Sequence, residues 1–162
     1  MTAIRSLVFV ALFYLWSAGI SIVSTPILFG PRHWSLRMFE IWAKGIFVLL
    51  RVCCDIRVEL RGAEHIPQGA ALVAPKHQCM FDVFAQFAYL PANCFVMKKE
   101  LTWIPWFGWY AAKVRSIVVD REGHSAALKA MVKEAKERFA EQRQICIAPE
   151  GTRTEPGAPP NY

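Results

Sequence analysis

No compact run of lysine and arginine interleaved with aromatics occurs in these 162 residues, although the formal net charge is +6. Without such a patch the charge does not point to nucleic acid; it suits a phospholipid surface or a phosphorylated substrate. The five cysteines, Cys53, Cys54, Cys79, Cys94 and Cys146, are odd in number, show no paired metal-ligand spacing and lie mostly in apolar runs. Buried reduced thiols in a cytosol-facing protein are the simplest account. There is no internal repeat and no low-complexity tract. One further absence is local: from Ser6 to Pro31 no residue is charged.

Within that uncharged stretch, residues 7–28 are dominated by Val, Phe, Leu, Ile and Ala, and about 20 such residues suffice to cross a bilayer. A cleavable signal peptide would have a shorter apolar core and a small-residue cleavage site before a polar region. Here a second stretch comes next, 35–52, with Leu36, Phe39, Trp42, Ala43, Ile46, Phe47 and Leu50 at helical spacing. Pro26, Gly30 and Pro31 break the two apart. Either one helix spans and the other lies beside it, or a helical hairpin is embedded from one side. The six tryptophans, Trp16, Trp34, Trp42, Trp103, Trp106 and Trp109, suit the depth at which amphipathic rings collect at membrane interfaces.

With 54% hydrophobic residues, the chain fits a membrane-associated helical module over residues 1–54 and one globular domain over 55–162. Within the latter, Ile56-Arg57-Val58-Glu59-Leu60 alternates as a strand with one wet face would. Short apolar runs at 70–74, 94–97, 117–119 and 145–148 predict buried strands. Residues 81–90 and 125–143 predict helices, the second with Leu128, Met131, Val132, Ala135 and Phe139 on one face and a solvated charge run on the other. Strands alternating with helices imply an α/β fold with a largely parallel sheet, whose ligands gather beyond the carboxyl ends of the strands.

His77 and Asp82 stand five residues apart at such an end. Imidazole is the side chain best suited to remove a proton near neutral pH, and a carboxylate on one ring nitrogen fixes the tautomer and stabilises the imidazolium. On a continuous helix, residues five apart lie roughly 140° apart, so pairing requires His77 in a loop and Asp82 in the first helical turn. Arg121 and Arg153 also follow predicted strands, and a guanidinium fork binds phosphate bidentately. Plainer roles exist for each: a surface histidine near a capping aspartate, ordinary surface cations, or a Cys–His nucleophile through Cys79. A metal site built from His77, Asp82 and Glu150 lacks supporting ligand spacing. His33, His65 and His124 have no companion carboxylate pattern. Lys98 and Lys99, ahead of an aromatic segment, suit phosphate or a carrier protein as well as plain solvent.

Three blocks together resemble the glycerolipid acyltransferases, most closely the bacterial 1-acylglycerol-3-phosphate (lysophosphatidic acid) acyltransferase family. His77 and Asp82 match its H-x-x-x-x-D motif, and Glu150-Gly151-Thr152-Arg153 its E-G-T-R motif. Ser116-Ile117-Val118-Val119-Asp120-Arg121 matches a block that ends in arginine after a hydrophobic strand, with Arg115 where that family usually has glycine. The resemblance runs to Tyr162. Members continue with a further strand carrying a fourth, proline-containing motif and with closing helices, so the chain reads as truncated after E-G-T-R, its carboxyl-terminal part missing.

The resemblance implies acyl transfer from acyl-CoA or acyl carrier protein to 1-acylglycerol-3-phosphate, giving phosphatidic acid, with no metal and no bound cofactor. It makes His77 the base and Asp82 its holder. It places Arg121, Gly151, Thr152 and Arg153 on the glycerol-phosphate headgroup, with Glu150 orienting that loop or an arginine. It gives the Cys79 position to a small or variable residue. It also implies a two-helix module docked on the cytoplasmic leaflet of the inner membrane, with Arg32, Arg37, Lys44 and Arg51 meeting anionic headgroups and the catalytic part facing the cytoplasm. Glycerol-3-phosphate or another lysophospholipid as acceptor, and an inactive membrane-associated lipid-binding module, are its alternatives.

Overall fold

The structure, a computed structural model, describes residues 2–159, with the side chains of Thr2, Arg121 and His124 outside that description. Helix α1 (Thr2–Val23) and helix α2 (Arg32–Cys54) form a hairpin through a 3-10 turn at Thr25–Phe29. The stretch Ala3–Val23 is long and apolar enough to cross a membrane. Among the described residues one stripe of α1 packs on the core: Phe9, Phe13, Trp16 and Ile20, spaced by three and four residues, are half-buried against it. Ile4, Leu7, Tyr14, Leu15, Ile22 and Val23 point outward and are exposed. The Trp16 indole donates to the Trp42 carbonyl at 3.0 Å, and the Trp42 indole to the Ser17 hydroxyl at 3.0 Å. Gly45 makes this close approach possible, since a Cβ there would run into the Trp16 ring.

Among the described residues the α/β part contains four strands, β1 (Ala71–Val73), β2 (Asn93–Lys98), β3 (Ile117–Val119) and β4 (Gln144–Cys146), and three helices, α3 (Met80–Tyr89), α4 (Phe107–Lys113) and α5 (His124–Ala140). Strand order is β1-β4-β2-β3, and every pairing is parallel. All strand carboxyl ends therefore share one edge, where such sheets bind ligands. Side chains alternate across the sheet with the period of two that strands impose. Phe95 and Met97 of β2 join Phe39, Ala43 and Ile46 of α2, Phe84 and Phe87 of α3, and Tyr110, Ala111 and Val114 of α4. Cys94 instead joins Ile117, Ile145 and the α5 residues Met131, Ala135 and Phe139 on the opposite face.

Two expectations differ from what is observed. Residues 56–60 carry no ladder hydrogen bonds, because among the described residues β1 pairs with β4 alone and no strand lies beside the alternating stretch. Leu128 and Val132 are exposed, so the packing face of α5 is narrower than its apolar pattern. The 17 residues of α5 extend about 25 Å at ~1.5 Å each, whereas a three-residue strand covers only about 10 Å, so the early turns overhang the sheet.

The edge opposite the strand carboxyl ends is held by arginines. Arg143, 1% exposed, donates to the carbonyls of Asn93 at 2.7 Å and Arg115 at 3.3 Å, and Arg138 donates to the Arg115 carbonyl at 3.0 Å. Burial holds the Arg143 guanidinium below its ordinary pKa. Arg115 is left-handed, with φ 55°, a region in which a non-glycine residue costs roughly 1–2 kcal/mol. The two arginines pin its carbonyl, and its own guanidinium pairs with Glu141 and Glu137. Arg32 at the start of α2 also pairs with Glu141, while Arg37 and Lys44 share Glu40.

Candidate active site

Strand β1 ends at Val73 and α3 begins at Met80, which leaves His77 in the connecting loop and Asp82 in the first helical turn. The bend brings the pair together. His77 Nδ1 lies 3.2 Å from Asp82 Oδ2, and the same carboxylate oxygen accepts the backbone N–H groups of Gln78 at 2.6 Å and Cys79 at 2.8 Å. Cys79 is the N-cap of α3 in a reciprocal capping arrangement with Asp82, so the carboxylate that faces the histidine also closes the helix start. Asp82 thus serves the His77 ring and two backbone N–H groups from one position, and Cys79 has a local structural role beside His77. With Nδ1 protonated and facing the carboxylate, the other ring nitrogen is free to accept a proton. The two side chains remain 22% and 21% exposed, enough for a substrate to reach them.

Burial alone would raise the Asp82 carboxyl, but the amide hydrogens of Cys79 and Gln78 and the His77 ring outweigh it and hold the pKa below the ordinary value. A folded-state pKa below the unfolded one stabilises the protein above the unfolded value, near 3.9, and that stabilisation is lost as pH falls through the folded value. We therefore expect Asp82→Asn to unfold at lower urea than the parent at pH 7, by on the order of 1 kcal/mol. The gap should close as pH is lowered past about 4. A gap constant from pH 7 to pH 3 would show that the ionised carboxylate does not carry this interaction.

The loop after β4 approaches the same edge. Gly151 is left-handed, with φ 64°, a turn that glycine makes without steric cost. Thr152 and Arg153 are exposed on this loop. Thr154 N–H donates to the His77 carbonyl at 2.9 Å, and its hydroxyl donates to Glu150 Oε2 at 3.0 Å. Lys76 Nζ donates to the Ala158 carbonyl at 2.9 Å, a second tie between the two loops. Lys99, just beyond β2, pairs with Asp120, just beyond β3, at 2.8 Å; this bond raises the lysine pKa and lowers that of the carboxyl. Arg121 opens the following 3-10 turn, its side chain outside the described ones. Among the described residues no three His, Cys, Asp or Glu side chains converge as a metal cluster.

His77, Asp82, Arg121 and the Glu150–Arg153 loop therefore all lie beyond strand carboxyl ends, and direct contacts join His77 to Asp82 and the Glu150 loop to the His77 loop. Residues 57–159 match the Acyltransferase family. The chain belongs to that family. A 1-acyl-sn-glycerol-3-phosphate acyltransferase of Pseudomonas aeruginosa is 33% identical over 156 residues, covering 93% of this chain and 60% of the relative. One from Helicobacter pylori is 37% identical over 90 residues, 55% of this chain and 38% of its own length. The crystal structure of the 1-acyl-sn-glycerophosphate (LPA) acyltransferase PlsC from Thermotoga maritima aligns with a TM-score of 0.76 at 25% identity, over 95% of this chain and 64% of that one. The present acyltransferase-family chain thus spans 60% of the length of its Pseudomonas relative. Two contacts escape a reading of the family motifs: the Lys99–Asp120 bridge and the pair of hydrogen bonds from Thr154 to His77 and Glu150. The signal for the second is a hydroxyl residue directly after E-G-T-R.

Proposed function

We propose that this chain transfers an acyl group from a thioester, on coenzyme A or acyl carrier protein, to the free hydroxyl of 1-acylglycerol-3-phosphate, yielding phosphatidic acid. The observation that carries the proposal is the His77–Asp82 pair, 3.2 Å apart at the strand carboxyl edge beside the Glu150 loop. His77 takes the acceptor's hydroxyl proton as the oxygen attacks the thioester carbonyl. Asp82 holds the imidazolium so formed, and the tetrahedral intermediate collapses with loss of the thiolate, which receives that proton. No metal or bound cofactor enters these steps. Arg121, Gly151, Thr152 and Arg153 are the groups we assign to the phosphate, with Glu150 shaping their loop. Oxygen attack on a thioester needs no redox partner, and the proton removed from the hydroxyl leaves with the thiol.

Residues 1–54 form, in this reading, the membrane-associated module, and residues 55–162 carry the chemistry. Support comes from the apolar outward face of α1 and the cations Arg37, Lys44 and Arg51 exposed along α2, a combination suited to an anionic leaflet. The two-helix hairpin lies in the cytoplasmic leaflet of the inner membrane with the catalytic edge toward the cytoplasm.

The phosphate assignment is tested by Arg153→Lys, which keeps the charge but loses the bidentate fork. KM for the phosphorylated acceptor should rise roughly ten-fold, the effect of losing about 1.4 kcal/mol, while KM for the acyl thioester stays constant. Equal rises for both substrates would assign Arg153 to the fold, and unchanged kinetics would place the phosphate elsewhere.

A further inference from the structure

We propose that Thr154 is a positioning residue: it clamps the loop that carries Glu150 to the loop that carries His77, so that the phosphate-binding and proton-removing groups move as one unit. This rests on the acyl-transfer reading above for its kinetic consequence, but not for its structural one. The clamp has two jaws. The backbone N–H of Thr154 donates to the His77 carbonyl at 2.9 Å, which fixes the backbone of the residue whose ring meets Asp82. The hydroxyl donates to Glu150 Oε2 at 3.0 Å and also lies 3.4 Å from the His77 carbonyl.

A single hydroxyl proton serves one acceptor at a time. The shorter distance and the charge of the carboxylate favour Glu150, leaving the His77 carbonyl to the N–H. Glu150 depends on this bond, since its other oxygen, Oε1, is buried without a hydrogen-bond partner among the described residues. A half-buried carboxylate with one oxygen already unpaired is costly in place once it loses its remaining donor, so the loop is expected to shift. The threonine N–H travels with it. Removing one hydroxyl therefore disturbs both loops, although 77 positions separate Thr154 from His77. The Lys76–Ala158 bond, made further along the same two segments, does not substitute, because it touches neither Glu150 nor His77.

The test compares Thr154→Val, which replaces the hydroxyl by a methyl, with Thr154→Ser, which restores it, both in the full chain. Hydrogen–deuterium exchange is read first, without substrate. In Thr154→Val the segments 74–79 and 147–155 should both exchange about ten-fold faster while α5 is unchanged, and Thr154→Ser should return both to the parental rate. A hydrogen bond to a charged group is typically equivalent to roughly 10–100-fold. Faster exchange confined to 147–155 would overturn the clamp. Turnover with 1-oleoyl-lysophosphatidic acid and palmitoyl-coenzyme A is read second. Thr154→Val should lower kcat and raise KM for the lysolipid together, with KM for the thioester unchanged and serine restoring both. A uniform loss that serine does not restore would reduce Thr154 to a fold residue. If the parental chain shows no turnover, the functional proposal fails while the exchange experiment still decides the clamp.

Discussion

Replacement of His77 by Ala should lower acyl transfer by roughly 10²–10⁴-fold, the usual contribution of a positioned general base. The fold and membrane association should be retained, because His77 lies in the loop between β1 and α3 and belongs to neither core cluster. Cys79 provides the control: it is exposed, two residues away, and caps α3. Cys79→Ser replaces the cap with a residue type favoured there, so activity should remain near parental. A stable Cys79→Ser protein without activity, beside an active His77→Ala protein, would assign the chemistry to a thiol nucleophile instead. Purified proteins compared for initial rates, with circular dichroism as the folding check, settle the matter.

A second large effect is expected far from the site. Phe39→Ala should destabilise the chain by about 3–5 kcal/mol, the range for truncating a buried phenylalanine, against a total stability of roughly 5–15 kcal/mol for a domain. Phe39 is 3% exposed, stacks on Phe87 with centroids 4.5 Å apart, and meets Phe107 and Tyr110 edge-on at 6.2 and 6.0 Å. It therefore joins α2 to α3 and α4 in one core. Stacked and edge-on pairs add to the loss beyond simple area. Denaturant unfolding of the full chain in a mild detergent measures it. A loss below about 1 kcal/mol would mean that α2 folds apart from the α/β core.

The same residue shows what sequence patterns convey and what they omit. Phe39 is legible as apolar from its helical spacing, yet nothing in that spacing says that the face it occupies is buried against Phe87 rather than lipid. For α1 the opposite limit applies: its composition is apolar all round, and only packing reveals that Phe9, Phe13, Trp16 and Ile20 face protein. The strands at 94–97 and 117–119 are legible because short, uninterrupted apolar runs between turn signals have few other uses in an α/β chain. Residues 56–60 alternate just as clearly but gain no strand partner among the described residues, because alternation describes a surface and not a neighbour. At the site, the five-residue spacing of His77 and Asp82 dictates a loop followed by a helix start, and the structure has that form. The Thr154 clamp depends on backbone atoms and on a contact across 77 residues, of which the local pattern shows only the hydroxyl after Arg153 and not its partners.

The most direct measurement of the proposed reaction is the fate of a labelled acyl chain. The full chain, in mixed micelles, is given 13C-labelled palmitoyl-coenzyme A and 1-oleoyl-lysophosphatidic acid, and the lipids are resolved by mass spectrometry while free thiol is counted. Labelled phosphatidic acid is expected, with the new chain on the formerly free hydroxyl, one thiol released per lipid formed, and loss of both in His77→Ala. Thiol release with labelled free fatty acid and no new phosphatidic acid would make the protein a hydrolase, and product formation undiminished in His77→Ala would contradict the assignment of the base.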